Sequence, residues 1–211
     1  MKQLSHKEID RVVAGVPLGA GQTTLFRAAL ASGDHLGAIN CVPRRFSEPR
    51  EGGKKWIYQP MRLAFLAEVS EFLNEREFAE ALRVVWTTCE KFVDETMFRT
   101  LFDWPHKGTT LLGLTAEEQK FLASLPDRFP IYRGCTKSTR DGYCWTTEYT
   151  AAQQFAATHH AENGEPKEVL ERICAKSAVR AIYHNAHEFE VVVDYQDLVE
   201  PDIQLSSNEA T

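Results

Sequence analysis

Residues 188–194 read Glu188-Phe189-Glu190-Val191-Val192-Val193-Asp194, and their apolar, β-branched texture predicts a strand. Alternate side chains of a strand point to opposite faces, so Glu188 and Glu190 share one face, about 7 Å apart. Two carboxylates held this close are costly unless a ligand or a reaction uses them, or unless water reaches that end of the strand. The segment therefore predicts either a polar site or a solvated strand end.

A second strand-like segment upstream also carries a polar group. Residues 130–135, which include Tyr132, alternate like a half-buried strand and contain Arg133. A guanidinium there needs either an acidic partner within the fold or an anionic ligand such as a diphosphate. Gly134, next in the chain, would let a ligand approach the backbone closely.

A third segment, residues 143–147, is predicted to be a strand that leads into a helix starting near residue 148. A threonine at this junction can cap the helix, and Thr147 fits that role best. Thr146 and Trp145 have no such capping role. A hydroxyl at the end of this strand could hold a carboxylate in place or contact a ligand. Phe155 is predicted to lie on the inner face of the helix.

The first half of the chain has a helical pattern. Capping boxes, Ser5 with Glu8 and Thr115 with Glu118, predict helix starts. Apolar residues at three- and four-residue spacing predict two helices within residues 60–102. We therefore expect an α+β protein with helices first and short strands after residue 130.

Two upstream segments are predicted to be loops. Residues 15–21 are glycine-rich but do not complete the phosphate-loop pattern, so we expect a loop before a helix start at Thr23 or Thr24. Residues 43–58 are basic and contain proline and glycine, which predicts an exposed loop. That loop is either a solvated connection or a binding site for a partner or for phosphate.

Composition narrows the function classes. The 211 residues have a net charge of −6, and residues 130–211 hold 7 basic and 13 acidic side chains. This excess of negative charge disfavours a nucleic-acid target and suits a cationic partner. No apolar run is long enough to span a bilayer, and the first residues do not resemble a signal peptide. We expect a cytoplasmic protein with no membrane partner, whose five cysteines are reduced.

A metal site is a competing interpretation of the same region. His184 and His187 precede Glu188 and Glu190, and the pair His159-His160 could join them. The spacing of His184 and His187 puts both imidazoles on one face only in a helix, whereas the sequence there predicts a loop before a strand. We therefore predict no metal.

Taken together, Tyr132-Arg133-Gly134, Trp145-Thr146-Thr147 and Glu188-Phe189-Glu190 resemble the ADP-ribosyltransferase fold, in its branch with an Arg, a Ser-Thr-Ser-like segment and a Glu-x-Glu. The resemblance covers about residues 128–203. It implies a helical N-terminal part packed on a core of two small sheets that hold NAD between them. The implied domains are a helical extension with a basic loop (1–58), a catalytic domain (59–205, with a helical lobe 60–125 and a β core 128–203) and a tail (206–211).

The resemblance also implies residue roles. Glu190 would be the catalytic glutamate, stabilising the ribosyl oxocarbenium ion, and Glu188 would orient or deprotonate the acceptor. Arg133 would hold the NAD phosphates, and Thr146 would stand where the family has its first serine. The implied NAD contacts are Tyr132, Arg133, Gly134, Trp145, Thr146, Thr147 and Phe155.

The expected function is therefore mono-ADP-ribosyl transfer, with NAD as the co-substrate. The expected acceptor is a protein, and within it an arginine side chain. A small chain of this kind suggests a bacterial or phage effector or toxin, acting in the bacterial or infected cell. NAD hydrolysis and a catalytically inactive binding module of the same fold stay open as alternatives. The sequence does not tell whether a neutralising partner protein exists.

Overall fold

A computed structural model describes residues 4–16, 18–42, 46–50, 53–57, 61–87, 94–103, 109–158, 165–185 and 188–201. Contacts between Cα atoms divide the chain into two compact units, which we call the helical unit (1–113) and the sheet unit (114–211). This division does not coincide with the expected boundary at residue 58, and the expected helical lobe 60–125 extends across it.

The helical unit is built from α-helices and one β-hairpin. Its elements are α1 (His6–Ala14), α2 (Ala20–Ser32), α3 (His35–Cys41), β1 (Phe46–Arg50), β2 (Gly53–Ile57), α4 (Met61–Val69), α5 (Glu75–Trp86) and α6 (Glu95–Phe102). Short 3₁₀ turns follow at Ser70–Phe72 and Thr109–Gly113.

Side-chain caps and aromatic packing fix the helices of this unit. The predicted capping box at Ser5 is confirmed, and Asn74 with Glu77 forms another at the start of α5. In the core, the ring centroids of Phe26 and Phe65 are 4.9 Å apart. Buried apolar side chains from the other helices complete it: Leu30, Ile39, Leu63, Leu66, Phe78, Leu82, Phe98, Leu101 and Phe102.

Both loop predictions in this unit were partly wrong. Helix α2 begins at Ala20, with Gly19 as its N-cap, so it starts before the predicted Thr23 or Thr24. Residues 46–50 and 53–57 pair as antiparallel strands, with Arg50 opposite Gly53, where an exposed loop was predicted. Backbone pairing between residues 46–50 and 53–57 gives this polar segment an order that its side-chain pattern did not indicate.

The sheet unit holds helix α7 (Ala116–Ser124), strand β3 (Arg128–Thr136), strand β4 (Cys144–Thr146), helix α8 (Tyr149–Thr158) and strands β5 (Lys167–Ala175), β6 (Val179–Asn185) and β7 (Glu188–Val193). The predicted capping box of Thr115 and Glu118 is confirmed at the start of α7. The mixed α and β character expected from the sequence is confirmed.

The five strands of this unit form one antiparallel sheet in the order β5-β3-β4-β7-β6. The expected pair of sheets is not confirmed within the described residues. However, β3 and β4 share a single register pair, Tyr132 with Thr146, whereas β3 and β5 pair from Arg128 to Thr136. The sheet is therefore held together at its centre by its shortest ladder.

Helix α8 packs on β3 and β5 through a glycine. A Cβ atom on Gly134 would overlap the carbonyl oxygen of Ala152 and the amide nitrogen of Ala156. The absence of a side chain at position 134 is thus what lets the helix backbone lie directly on the strand.

Of the helices in the described ranges, none combines the length and the apolarity that a membrane crossing requires.

We expect Gly134→Ala to lower the free energy of unfolding by about 2 kcal/mol, because the added methyl forces α8 away from β3. Gly21→Ala is the control, since a Cβ there meets nothing within 4 Å. That change should be neutral or stabilising by about 0.5 kcal/mol, because alanine favours the helix. Urea denaturation measures both, and equal stability of Gly134→Ala and wild type would contradict the packing described.

Candidate active site

Register places three of the predicted site residues, Tyr132, Thr146 and Glu190, in one row across the sheet. Glu171, Tyr132, Thr146, Glu190 and Tyr183 are opposed in turn on β5, β3, β4, β7 and β6. Directly opposed residues of neighbouring strands project from the same face, so Tyr132, Thr146 and Glu190 share a face. Residues from three separate segments of the sequence are thereby brought together.

Thr146 links this row to the neighbouring carboxylate. Its side chain is 3 % exposed, and its Oγ1 accepts a hydrogen bond from the Glu148 N–H at 3.1 Å. The same hydroxyl hydrogen-bonds the carboxylate of Glu188. Thr146 is therefore positioned by the start of α8 and in turn positions Glu188.

Glu188 is a half-buried carboxylate with an unused oxygen. Its Oε2 is buried, and within the described part of the chain it has no hydrogen-bond partner. Burial raises the pKa of Glu188, the hydrogen bond from Thr146 opposes that rise, and the negative charges of Glu190 and Glu148 add to it. An orphaned acceptor of this kind points to a ligand that supplies a donor.

The capping prediction for Thr147 was wrong. Helix α8 begins at Tyr149, and the threonine hydroxyl that bonds the Glu148 N–H belongs to Thr146. The buried Oγ1 of Thr147 has no hydrogen-bond partner among the residues described. The Thr147 hydroxyl, for which a capping role was predicted, is thus the one whose hydrogen bond a ligand could supply.

Arg133 bridges β3 and β4 where their ladder stops. Its Nη1 donates to the carbonyl of Cys144 at 2.6 Å, and its Nε donates to the carbonyl of Thr139 at 3.2 Å. A Cβ at position 142 would collide with the guanidinium, so the side chain lies over Gly142. Across the described ranges no carboxylate forms an ion pair with Arg133, so the acidic partner considered from the sequence is not seen there.

Three other predicted contacts have structural roles of their own. Gly134 is covered by α8, as described above. Trp145 is 3 % exposed, and its indole N–H donates to the carbonyl of Gly142 at 2.8 Å. A Cβ on Gly134 would come within 3.0 Å of the Phe155 Cβ, so Phe155 lies on the side of α8 that packs on β3, as predicted, although 44 % of the residue is exposed. Contact of these three residues with NAD stays a prediction.

Tyr149 is a neighbour of the site that the sequence analysis missed. Its ring meets that of Tyr132 edge to face, with centroids 5.4 Å apart, and the residue is 49 % exposed. An aromatic residue two positions after the threonine pair was the available signal. The two rings border the row that contains Thr146 and Glu190, where they offer a surface for a planar group.

The histidine of the competing metal interpretation lies on the other face of the sheet. His184 is opposed to Phe189 and stacks on it at 4.5 Å, whereas Glu188 and Glu190 alternate to the opposite side. The Nδ1 of His184 lies 3.2 Å from a carboxylate oxygen of Glu117. His187 and the pair 159–160 lie outside the described residues.

Comparison with known proteins yields no relationship: no protein-family model, no curated protein and no solved structure matches the chain.

The raised pKa of Glu188 predicts a pH-dependent effect of Glu188→Gln on stability. The folded protein favours the protonated carboxyl of Glu188. Its contribution to the free energy of unfolding is therefore complete below pH 4.5, the ordinary pKa of a glutamate, and is lost as the pH rises through the pKa of the folded state. Glu188→Gln should therefore stabilise the protein by about 1 kcal/mol near pH 7.5. It should have almost no effect near pH 4, where the two side chains are alike.

Urea denaturation across that pH range measures this difference. Glu171→Gln is the matched control, because Glu171 is an exposed member of the same row on the edge strand β5. The control should change stability little at any pH. A destabilising Glu188→Gln at neutral pH would mean that the ionised carboxylate is favourably bound in the fold.

Proposed function

We propose that this protein transfers ADP-ribose from NAD to a protein side chain. The observation that supports this most is the register row that puts Thr146 opposite Glu190, with Glu188 bonded to Thr146 on the same face. Two carboxylates of unequal environment beside a positioned hydroxyl suit a reaction that builds up positive charge on a sugar carbon.

The proposed step breaks the bond between ribose C1 and the nicotinamide nitrogen. The bonding electron pair leaves with nicotinamide, which becomes neutral, and C1 becomes part of an oxocarbenium ion. Glu190 faces this cation and stabilises it electrostatically. A nucleophile of the acceptor then forms the new bond to C1 and gives up a proton to Glu188.

The environment of Glu188 suits the role of proton acceptor. A carboxylate whose pKa is raised by burial is a stronger base than a solvated one and works closer to neutral pH. Its Oε2, which has no hydrogen-bond partner among the described residues, can accept an N–H or O–H hydrogen of the acceptor group. Thr146 acts as a positioning residue, because its hydroxyl hydrogen-bonds the same carboxylate.

Arg133 is proposed to bind the diphosphate of NAD. Its permanent charge is met by two carbonyl dipoles and by no carboxylate within the described residues. A guanidinium fork matches phosphate oxygens, and binding at the gap between β3 and β4 would add the missing negative charge.

An arginine side chain is the proposed acceptor. Acidic side chains outnumber basic ones by 13 to 7 in residues 130–211, which attracts a cationic target. A guanidinium also supplies the N–H donors that the free oxygen of Glu188 lacks. A modification found on nucleic acid or on another type of side chain would contradict this part of the proposal.

We expect Glu190→Gln to reduce nicotinamide release from NAD by about a hundredfold or more, because the neutral amide no longer stabilises the oxocarbenium ion. Glu171→Gln, at the far end of the same row, should retain wild-type activity. Release is measured with labelled NAD, with and without cell extract, and the label on macromolecules is counted.

The outcomes separate the alternatives. Release that depends on Glu190 and deposits label on protein supports the transferase. Release without label on any macromolecule would mean that water is the acceptor and that the enzyme is an NAD glycohydrolase. No release from the folded wild type would leave a binding module.

Thr146 provides a second test, because serine keeps its hydroxyl and valine keeps its shape. Thr146→Ser should stay within about threefold of wild type, whereas Thr146→Val should lose about tenfold or more in kcat. Because the hydrogen bond from Thr146 lowers the pKa of Glu188, Thr146→Val should also move the acidic limb of the pH–rate profile to higher pH. An unshifted profile would mean that Thr146 does not act through Glu188.

A further inference from the structure

The helical unit contains a cavity of about 330 Å³. It lies between the turn that joins α2 to α3 and the first half of α5. Its volume is at the lower end of the range for small-molecule sites, about 300–1,000 Å³. Leucine and alanine side chains and three carboxylates contribute to the lining: Leu36, Leu73, Ala81, Asp34, Glu77 and Glu80.

His35 lines this cavity with its hydrogen-bonding capacity unused. The residue is 4 % exposed, and neither Nδ1 nor Nε2 has a hydrogen-bond partner in the part of the chain that the structure describes. Burial lowers the pKa of His35, while the charges of Glu77 and Asp34 oppose that effect. A neutral imidazole offers one donor and one acceptor, and a buried side chain with both unmet indicates that something else binds there.

Among the described residues, the charged side chains that line the cavity are the carboxylates of Asp34, Glu77 and Glu80. Asp34 and Glu77 each use one oxygen to cap a helix, accepting from the N–H groups of Gly37 and Asn74 at 2.8 and 3.0 Å. Glu80 pairs with Arg76, which is outside the lining and whose side chain is 81 % exposed. No lysine or arginine of the described ranges lines the cavity, so the field of its lining favours a cation.

We propose that this cavity binds a small organic cation with an apolar body, of the amidine, guanidine or amine class, whose N–H group donates to the imidazole of His35. The positive charge lies towards Asp34 and Glu77, and the hydrocarbon part packs on Leu36, Leu73 and Ala81. The site belongs to the helical unit and does not rest on the NAD chemistry proposed for the sheet unit.

Three isosteric probes test the proposal on the full-length chain: benzamidine, benzamide and benzoate, which are cationic, neutral and anionic. Calorimetric titration gives the dissociation constants, and imidazole ¹H–¹⁵N NMR spectra report on the ring of His35. We expect benzamidine to bind and to shift the His35 resonances, with benzamide about tenfold weaker and benzoate undetectable. Equal binding of the three probes, or an unperturbed His35 at saturation, would overturn the proposal, as would no binding of benzamidine.

Two variants locate the binding. His35→Phe should abolish it, because phenylalanine removes both nitrogens and keeps a ring of similar size. Glu77→Gln should weaken benzamidine by about tenfold while an amide oxygen keeps the capping box with Asn74. Glu75→Gln, in the same first turn but outside the cavity lining, should bind as wild type.

If His35→Phe does not fold, the comparison of Glu77→Gln with Glu75→Gln tests the proposal. Equal affinities of Glu77→Gln and Glu75→Gln for benzamidine would show that charge in the cavity plays no part and would overturn the proposal. A tenfold difference between them supports it independently of the function of the sheet unit.

Discussion

The sheet unit depends on how β3 is joined to β4. Their ladder consists of one register pair, Tyr132 with Thr146, and beyond it the guanidinium of Arg133 reaches across to the carbonyl of Cys144. Gly142 leaves room for that guanidinium, because any Cβ there would overlap it. A half-buried charged group held by backbone dipoles thus joins the β5-β3 pair to the β4-β7-β6 strands, and the proposed site lies at this junction.

This junction couples the stability of the sheet unit to the chemistry proposed for it. On the same face as Thr146 and Glu190, Glu188 has a buried carboxylate oxygen with no hydrogen-bond partner among the described residues. An unsatisfied buried carboxylate oxygen costs about 1–3 kcal/mol, which a core built for stability alone would avoid. Strain of this kind is common at functional sites, where the missing partner is a ligand.

The helical unit shows the same feature in a different setting. Its core is aromatic and aliphatic, with Phe26 against Phe65 and Trp86 against Phe102, and its helix starts are capped by side chains. Against this background the imidazole of His35 has no hydrogen-bond partner among the described residues. Both proposed sites thus include a buried polar group whose hydrogen bond a ligand would supply.

The sequence by itself determined the local structure wherever a short-range signal existed. Side-chain caps at Ser5, Asn74 and Thr115 fix helix starts because donor and acceptor lie three residues apart, and the β-branched run 191–193 fixes a strand. The paired carboxylates of 188 and 190 follow in the same way from strand alternation. Where such signals were lacking, as in the paired strands of residues 46–50 and 53–57, the prediction was partly wrong.

Only the tertiary structure decided which residues meet. Register between strands far apart in the chain places Thr146 opposite Glu190 and puts His184 on the other face, and no local pattern carries that information. The same holds for Gly134, whose missing side chain admits α8, and for the hydrogen bond to the Glu148 N–H, which Thr146 and not Thr147 accepts. The reason is physical: pairing and packing energies depend on distant neighbours, whereas caps and alternation depend on adjacent ones.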